Sequence, residues 1–174
     1  GGPPVILGVG RLTQQKDFAT LVRAFARVRA KRPARLLVLG EGEERERLEG
    51  LARELGVADD VAFAGFVANP YAYMARVGVV VLSSRWERLP AVLIESLALG
   101  TPVVSTDCQS GPREILRGGR DGPLVAVGDD VGRATAIASV LEQPRSSIPD
   151  DVWQPFTLDA AVDDTREVLC DAIA

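Results

Sequence analysis

The chain has 174 residues, of which 47% are apolar and 25% charged, and a net charge of −4. This length and composition predict one globular domain with a core of its own, and the acidic balance gives no support to a nucleic-acid partner. The sequence has no histidine, and its two cysteines lack metal-ligand spacing, so we expect no metal site. It has no apolar run that would span a bilayer and no signal peptide, so we expect a cytoplasmic location.

Short apolar runs alternate with helical patterns along the chain. The runs predict strands at residues 5–10, 35–40, 61–63, 78–82, 103–104 and 124–127. Helices are predicted between them at residues 18–32, 48–55, 69–76, 91–99, 113–116 and 134–141, and a terminal helix follows Thr157. Strands that alternate with helices indicate a parallel sheet with helices on both faces. The predicted fold is therefore an α/β, Rossmann-like, doubly wound domain over residues 1–174.

Residues 83–104 hold the most informative pattern. A polar loop follows the fourth strand and leads to Pro90, a residue favoured at the first position of a helix. The next helix is apolar nearly all round, which predicts burial, and Gly100 is its expected end. Glu87 lies in the loop and Glu95 inside the helix. Two carboxylates thus flank a helix N-terminus at the carboxyl end of a strand, where open α/β sheets bind ligands.

This segment, written S-x-x-E-x-x-P-x-x-x-x-E-x-x-x-x-G-x-P-V-V, resembles the donor-binding signature of the group 1 (family 4, retaining) glycosyltransferases. These enzymes have two facing Rossmann-like domains, the glycosyltransferase B-type fold. The resemblance implies that Glu87 holds the transferred sugar as the catalytic candidate, and that Glu95 accepts hydrogen bonds from the ribose. Arg88, Leu89 and Pro90 would contact the donor beside them. The alternative for Glu95 is a buried core acid paired with an arginine.

The loop after the first strand combines glycine with two cations. Gly10 allows close approach of a ligand, and Arg11 and Lys16 stand beside the next helix N-terminus, which Asp17 is expected to cap. The loop resembles the family's G-R-L-x-x-x-K element, in which the arginine and lysine bind the donor's diphosphate. The alternative is a pair of solvated surface cations.

Two further loops have weaker patterns. Phe66 and Val67 resemble the family's G-x-V, whose backbone contacts the nucleotide base, although Phe66 is equally compatible with the core. In the loop after the fifth strand, Ser110 is expected to cap a short helix, and Cys108 is expected to be a packing residue.

The sequence departs from the family pattern after the first glutamate of the signature. Arg88 stands where the family has glycine, so the backbone angle or the charge near the phosphates is expected to differ. A basic cluster also lies along the first helix and just beyond it. We interpret the cluster as a solvated face, and its alternative is docking on an anionic membrane; its members are Arg23, Arg27, Arg29, Lys31, Arg32 and Arg35.

The resemblance implies the C-terminal, nucleotide-sugar-binding half of a retaining glycosyltransferase of polysaccharide biosynthesis. The donor would be a nucleotide diphosphate sugar, the acceptor a glycan or lipid-linked glycan, and no cofactor is needed. The expected partner is an N-terminal acceptor domain of the same protein, to which residues 157–174 would cross, and peripheral membrane association is an option for the full enzyme. The isolated half is expected to be inactive. Two alternatives stay open: a nucleotide-sugar epimerase of related fold, and a non-catalytic nucleotide-binding module.

Overall fold

A computed structural model describes residues 2–145 and 147–157, and its centre is one six-stranded parallel sheet. The strands are β1 (Val5–Val9), β2 (Arg35–Leu39), β3 (Val61–Gly65), β4 (Val79–Leu82), β5 (Val103–Thr106) and β6 (Leu124–Val125). The helices are α1 (Phe18–Arg29), α2 (Arg45–Glu54), α3 (Tyr71–Met74), α4 (Ala91–Ala98), α5 (Pro112–Ile115) and α6 (Asp130–Glu142).

The strand order is β3-β2-β1-β4-β5-β6, and every paired strand runs parallel to its neighbour. This is the order of the doubly wound dinucleotide-binding sheets, in which the chain reverses direction across the sheet between β1 and β4. The predicted fold class is confirmed. The loops that follow β1 and β4 therefore flank the crevice at the carboxyl edge of the sheet.

Each face of the sheet has its own apolar core. Alternate residues of β4 point to opposite faces, so Val79 and Val81 pack with α1 and α6, whereas Val80 and Leu82 pack with α4. All four residues of β4 are buried, as expected for a central parallel strand. Burial on both faces explains why this strand is an uninterrupted apolar run in the sequence.

Several helix ends follow the sequence signals. Asp17 caps α1 and accepts hydrogen bonds from the backbone N–H and the hydroxyl of Thr20 at 3.3 and 2.8 Å. Gly100 follows α4 with a φ of +70°, as expected for a helix-ending glycine. The predicted start of α6 is wrong by four residues, because Asp129 caps the helix through the N–H of Gly132 and so starts it at Asp130.

Ser110 does not cap α5, contrary to the prediction. Its own φ is +67°, and Gly111 stands between it and the helix with a φ of +87°. A serine caps a helix only from the position directly before the first turn. The additional glycine therefore removes Ser110 from that position.

The prediction that α4 is buried nearly all round is also wrong. Ala91 and Ala98 are exposed and Glu95 is half-buried, while Leu93 and Leu97 face the core. Pro90 precedes the helix rather than forming its first residue. A helix that covers one face of a sheet keeps a side turned away from it, and Glu95 lies toward that side.

The basic cluster of α1 makes salt bridges with neighbouring elements. Arg27 pairs with Asp130 at 2.6 Å and Arg29 with Asp60 at 2.6 Å. No helix in the described part of the chain has the length and apolarity to cross a membrane. The predicted terminal helix lies outside the described residues. Before it, two short 3-10 helices, Asp150–Val152 and Gln154–Phe156, place Val152 against the core on the α4 face.

Candidate donor-binding site

The loops after β1 and β4 are joined to each other along the carboxyl edge of the sheet. The backbone N–H of Arg85 donates to the carbonyl of Gln15 at 2.8 Å, and the Gln15 amide donates to the carbonyl of Trp86 at 3.1 Å. The hydroxyl of Ser83 donates to the carbonyl of Lys16 at 2.7 Å. Three hydrogen bonds therefore fix one loop relative to the other.

At this junction the structure brings together Lys16 and Glu87, which are 71 residues apart in sequence. Lys16 Nζ lies 2.5 Å from Glu87 Oε1, and the hydroxyl of Ser84 donates to the same oxygen at 2.6 Å. The two side chains are 20% and 7% exposed. A nearly buried carboxylate thus has a cation and a hydroxyl as partners, which offset the cost of burying its charge.

Gly10 lies under the Lys16 side chain. A Cβ added at Gly10 would stand 3.3 Å from Lys16 Cε, and one added at Gly40 would collide with the Gly10 carbonyl at 1.9 Å. Glycine at both positions therefore allows β1 and β2 to end close together. Arg11 is exposed, and within the described residues its guanidinium makes no hydrogen bond or ion pair, so it is available to an anion.

Glu95 contacts a tyrosine that the sequence analysis did not single out. The hydroxyl of Tyr71, the first residue of α3, donates to Glu95 Oε1 at 3.3 Å. The negative charge of Glu95 raises the pKa of Tyr71, and the hydrogen bond acts in the same direction. The alternative of a core acid paired with arginine is wrong, since Glu95 is half-buried and no arginine of the described chain pairs with it.

The other predicted donor contacts are mostly accessible. Phe66 is 78% exposed, which excludes its assignment to the core, and Val67 is half-buried. Arg88 is exposed and Leu89 is 59% exposed, whereas Pro90 is buried. Arg88 and Leu89 are therefore accessible to a ligand, whereas Pro90 is covered by its neighbours.

The model of the family described as "Glycosyl transferases group 1" matches residues 3–143. The chain belongs to the group 1 glycosyltransferases. It is 43% identical over 138 residues to the lipopolysaccharide core biosynthesis glycosyltransferase LpsE of Rhizobium meliloti (strain 1021), an alignment that covers 79% of this chain and 39% of LpsE.

Other relatives agree with this family. The chain is 39% identical over 140 residues to a Campylobacter jejuni N-acetylgalactosaminyltransferase named for a diphospho-undecaprenol substrate, covering 80% of this chain and 38% of that protein. The apo lipopolysaccharide outer core galactosyltransferase WaaB superposes with a TM-score of 0.85 at 26% identity, covering 98% and 50%. Anabaena HepE in complex with UDP-glucose gives 0.84 at 25%, covering 97% and 49%. The chain spans about two fifths of the length of these two curated relatives.

In this glycosyltransferase chain the loop after β5 packs against the signature segment. A Cβ on Gly111 would lie 2.7 Å from Pro90 Cδ and 2.8 Å from the Arg88 carbonyl. Cys108 is buried there, and burial, followed by the charge of Glu87, raises the pKa of its thiol. A neutral, buried thiol is consistent with the packing role expected for Cys108.

Arg133 of α6 is a polar residue that the sequence analysis missed. It is completely buried, and its Nη2 donates to the hydroxyl of Thr106 at 3.0 Å, while Nε and Nη1 have no partner in the described chain. Burial lowers the pKa of Arg133 to about 10. The signal in the sequence was an arginine directly before Ala134 and four residues before Ile137, on the core side of α6.

A cavity of about 1080 Å³ lies away from this site. It is lined by residues 2–4, the end of α1 and α6, and so stands near the amino ends of β1 and β2. The carboxyl edge of the sheet carries the loops after β1 and β4, in which Lys16 contacts Glu87. We place the candidate site there because the predicted charged residues converge on that edge.

Proposed function

We propose that the chain is the donor-binding domain of a retaining glycosyltransferase that moves a sugar from a nucleotide diphosphate sugar to a glycan or lipid-linked glycan. The observation that supports it most is the contact of Lys16 with Glu87 where the chain reverses across the sheet. Arg11 is exposed beside them, and Glu95 follows on α4. The relatives named above are glycosyltransferases, which favours transfer over epimerisation or mere binding.

Lys16 and Arg11 would bind the diphosphate of the donor. When the bond between the sugar C1 and the diphosphate oxygen breaks, its electron pair leaves with the diphosphate, and the negative charge there rises. Fixed cations at that place stabilise the transition state more than the ground state. We therefore propose that transfer depends on these side chains and needs no metal ion.

The two carboxylates would have separate roles. Glu87 is nearly buried at the junction and would accept hydrogen bonds from the transferred sugar. Glu95 is half-buried on α4 and would accept them from the ribose. The side chains of Phe66, Val67 and Leu89 would contact the donor, and the backbone N–H groups at the start of α4 would support its phosphates.

We assign acceptor binding to the rest of the protein. We propose an N-terminal domain that binds the acceptor and closes over the groove, a cytoplasmic location, and peripheral contact of the full enzyme with the membrane. The lipid-linked substrate in the name of the Campylobacter jejuni relative supports the proposed contact with the membrane. HepE in complex with UDP-glucose supports a uridine nucleotide as the first ligand to test.

Calorimetry with UDP and uridine tests the proposal directly. Lys16→Ala should weaken UDP binding about 10-fold or more, because a hydrogen bond to a charged group is worth roughly 1.5–3 kcal/mol, and it should leave uridine nearly unaffected. Ser84 still donates to Glu87 in this variant, which preserves one partner of the carboxylate.

Arg23→Ala is the matched control, since Arg23 is an exposed cation of α1. It should bind both ligands as the unchanged chain does. Equal losses for UDP and uridine in Lys16→Ala would remove the phosphate role. In the full-length protein, NMR of the product would test retention, and a product of inverted anomeric configuration would exclude the retaining mechanism.

A further inference from the structure

Tyr71 is the only side chain of the described residues that hydrogen-bonds Glu95. The distance of 3.3 Å is long for an O–H···O bond, and the contact is exposed. A bond of this kind adds little to the stability of the fold. Its location is nevertheless specific, because it engages the carboxylate to which the ribose is assigned under the proposed function.

The backbone that carries Tyr71 is held in place. Met74, on the same short helix, is completely buried, and its carbonyl accepts a hydrogen bond from the Thr101 hydroxyl at 2.7 Å. The Arg145 guanidinium donates to the carbonyl of Ala75 at 3.1 Å. The phenol group of Tyr71 therefore reaches Glu95 from a fixed base, although the ring itself is 48% exposed.

Glu95 by itself has a flexible side chain with three rotatable bonds. An ionised carboxylate has two oxygens and about four acceptor positions. Tyr71 occupies one position on Oε1, so the second oxygen and the remaining positions stay free for two ribose hydroxyls. Restricting the glutamate before binding removes part of the entropy that the ligand would otherwise have to overcome.

We propose that Tyr71 is a positioning residue of the nucleoside subsite, which holds Glu95 in the orientation that receives the ribose. The inference rests on the proposed function. It deepens that function by naming a residue outside the signature segment. The Tyr71 hydroxyl stays on Glu95 in the bound state and is not displaced by the ligand.

The experiment measures uridine and UDP affinity by calorimetry, and unfolding by thermal melts, in four variants: Tyr71→Phe, Tyr73→Phe, Glu95→Gln and the double variant of Tyr71 and Glu95. Tyr71→Phe should weaken uridine and UDP by the same factor, about threefold, without a change in melting temperature. In the Glu95→Gln background the same change should cost much less than threefold, because its partner is altered.

Tyr73→Phe is the matched control. Tyr73 lies on the same helix and is 43% exposed, but within the described chain its hydroxyl makes no hydrogen bond. It should have the affinity of the unchanged chain. A purely structural tyrosine would lower the melting temperature and leave affinity unchanged, which would overturn the inference.

Three other results would overturn it. Tighter binding by Tyr71→Phe would mean that the hydroxyl competes with the ribose, and a loss for UDP alone would assign Tyr71 to the phosphates. The same loss in both Glu95 backgrounds would show that Tyr71 acts elsewhere. If the unchanged chain binds UDP while Tyr71→Phe has no effect, only this inference fails; if the unchanged chain binds neither ligand, the proposed function fails and the inference fails with it.

Discussion

Replacing Arg133 with methionine should stabilise the domain. The guanidinium is completely buried, it has one hydrogen bond, to Thr106, and no ion pair joins it to an acid of the described chain. Its pKa is lowered to about 10, mainly by desolvation. At about 1.4 kcal/mol per pKa unit, this shift corresponds to roughly 3 kcal/mol that opposes folding while the group is charged.

The sign of the pH dependence follows from the same shift. Below pH 10 the arginine is protonated in both the folded and the unfolded chain, so the full cost is present at neutral pH. Above about pH 10 the folded chain binds fewer protons than the unfolded one, and the contribution to stability rises with pH. Methionine has no charge to desolvate, so it removes this cost at every pH, and it fills most of the same space.

The expected gain for Arg133→Met is up to about 1.5 kcal/mol, because the lost hydrogen bond from the charged donor to Thr106, worth roughly 1.5–3 kcal/mol, offsets part of the cost. For a domain of this size a gain of about 1.5 kcal/mol corresponds to roughly 3–6 °C in melting temperature. Calorimetric or circular-dichroism melts at pH 7 measure it. Arg23→Met, at an exposed position of α1, is the control and should change little. A lower melting temperature for Arg133→Met would refute the reasoning.

Three further outcomes are expected. Glu95→Gln should lower the affinity for UDP and for uridine by the same factor, whereas Glu87→Gln should keep the affinity for UDP and lose the preference for the UDP-sugar. If calorimetry finds the same pattern of affinity losses in both variants, the carboxylates do not have separate roles. Gly111→Ala should destabilise by roughly 1–3 kcal/mol in melts, since its Cβ would lie 2.7 Å from the Pro90 ring at a φ of +87°, and more than Gly118→Ala, which has open space at a φ of +72°. The isolated chain should transfer no sugar at a useful rate, and rapid turnover with a simple acceptor would disprove the need for a second domain.

The strands could be predicted because local patterns determine them. Buried parallel strands are short apolar runs, and β4 shows this directly. The start of α6 and the Ser110 cap were local errors at helix ends, whereas the burial of α4 is decided by contacts between distant residues. The side of α4 that carries Glu95 is apolar in sequence, yet it faces away from the sheet. No count of apolar residues along one helix shows which side the sheet covers.

The site residues show the same division. The resemblance indicated Lys16 and Glu87 separately, each in its own loop. Their contact at 2.5 Å depends on the tertiary fold and could not be read from either loop. Phe66 had two open assignments, and its exposure excluded the core. Tyr71 matched no motif, and the only signal for Arg133 was its spacing to Ala134 and Ile137. Tyr71 is noticed only in the structure, because its hydroxyl donates to Glu95. Arg133 is noticed because two of its buried nitrogens have no partner among the described residues.

The hydrogen bonds between the two site loops imply that the donor groove is formed before any ligand arrives. The side chains of Gln15 and Ser83 each donate to a backbone carbonyl of the other loop, and the N–H of Arg85 donates to the carbonyl of Gln15. These bonds do not involve the side chains that the donor would use. Under the proposed function, Lys16 would share its charge between Glu87 and a phosphate, which is a side-chain change and not a loop rearrangement. A groove fixed in this way loses little conformational entropy on binding. Under the proposed function the two carboxylates would differ in how they are held: Lys16 and Ser84 contact Glu87, whereas Tyr71 alone contacts the half-buried Glu95 among the described residues.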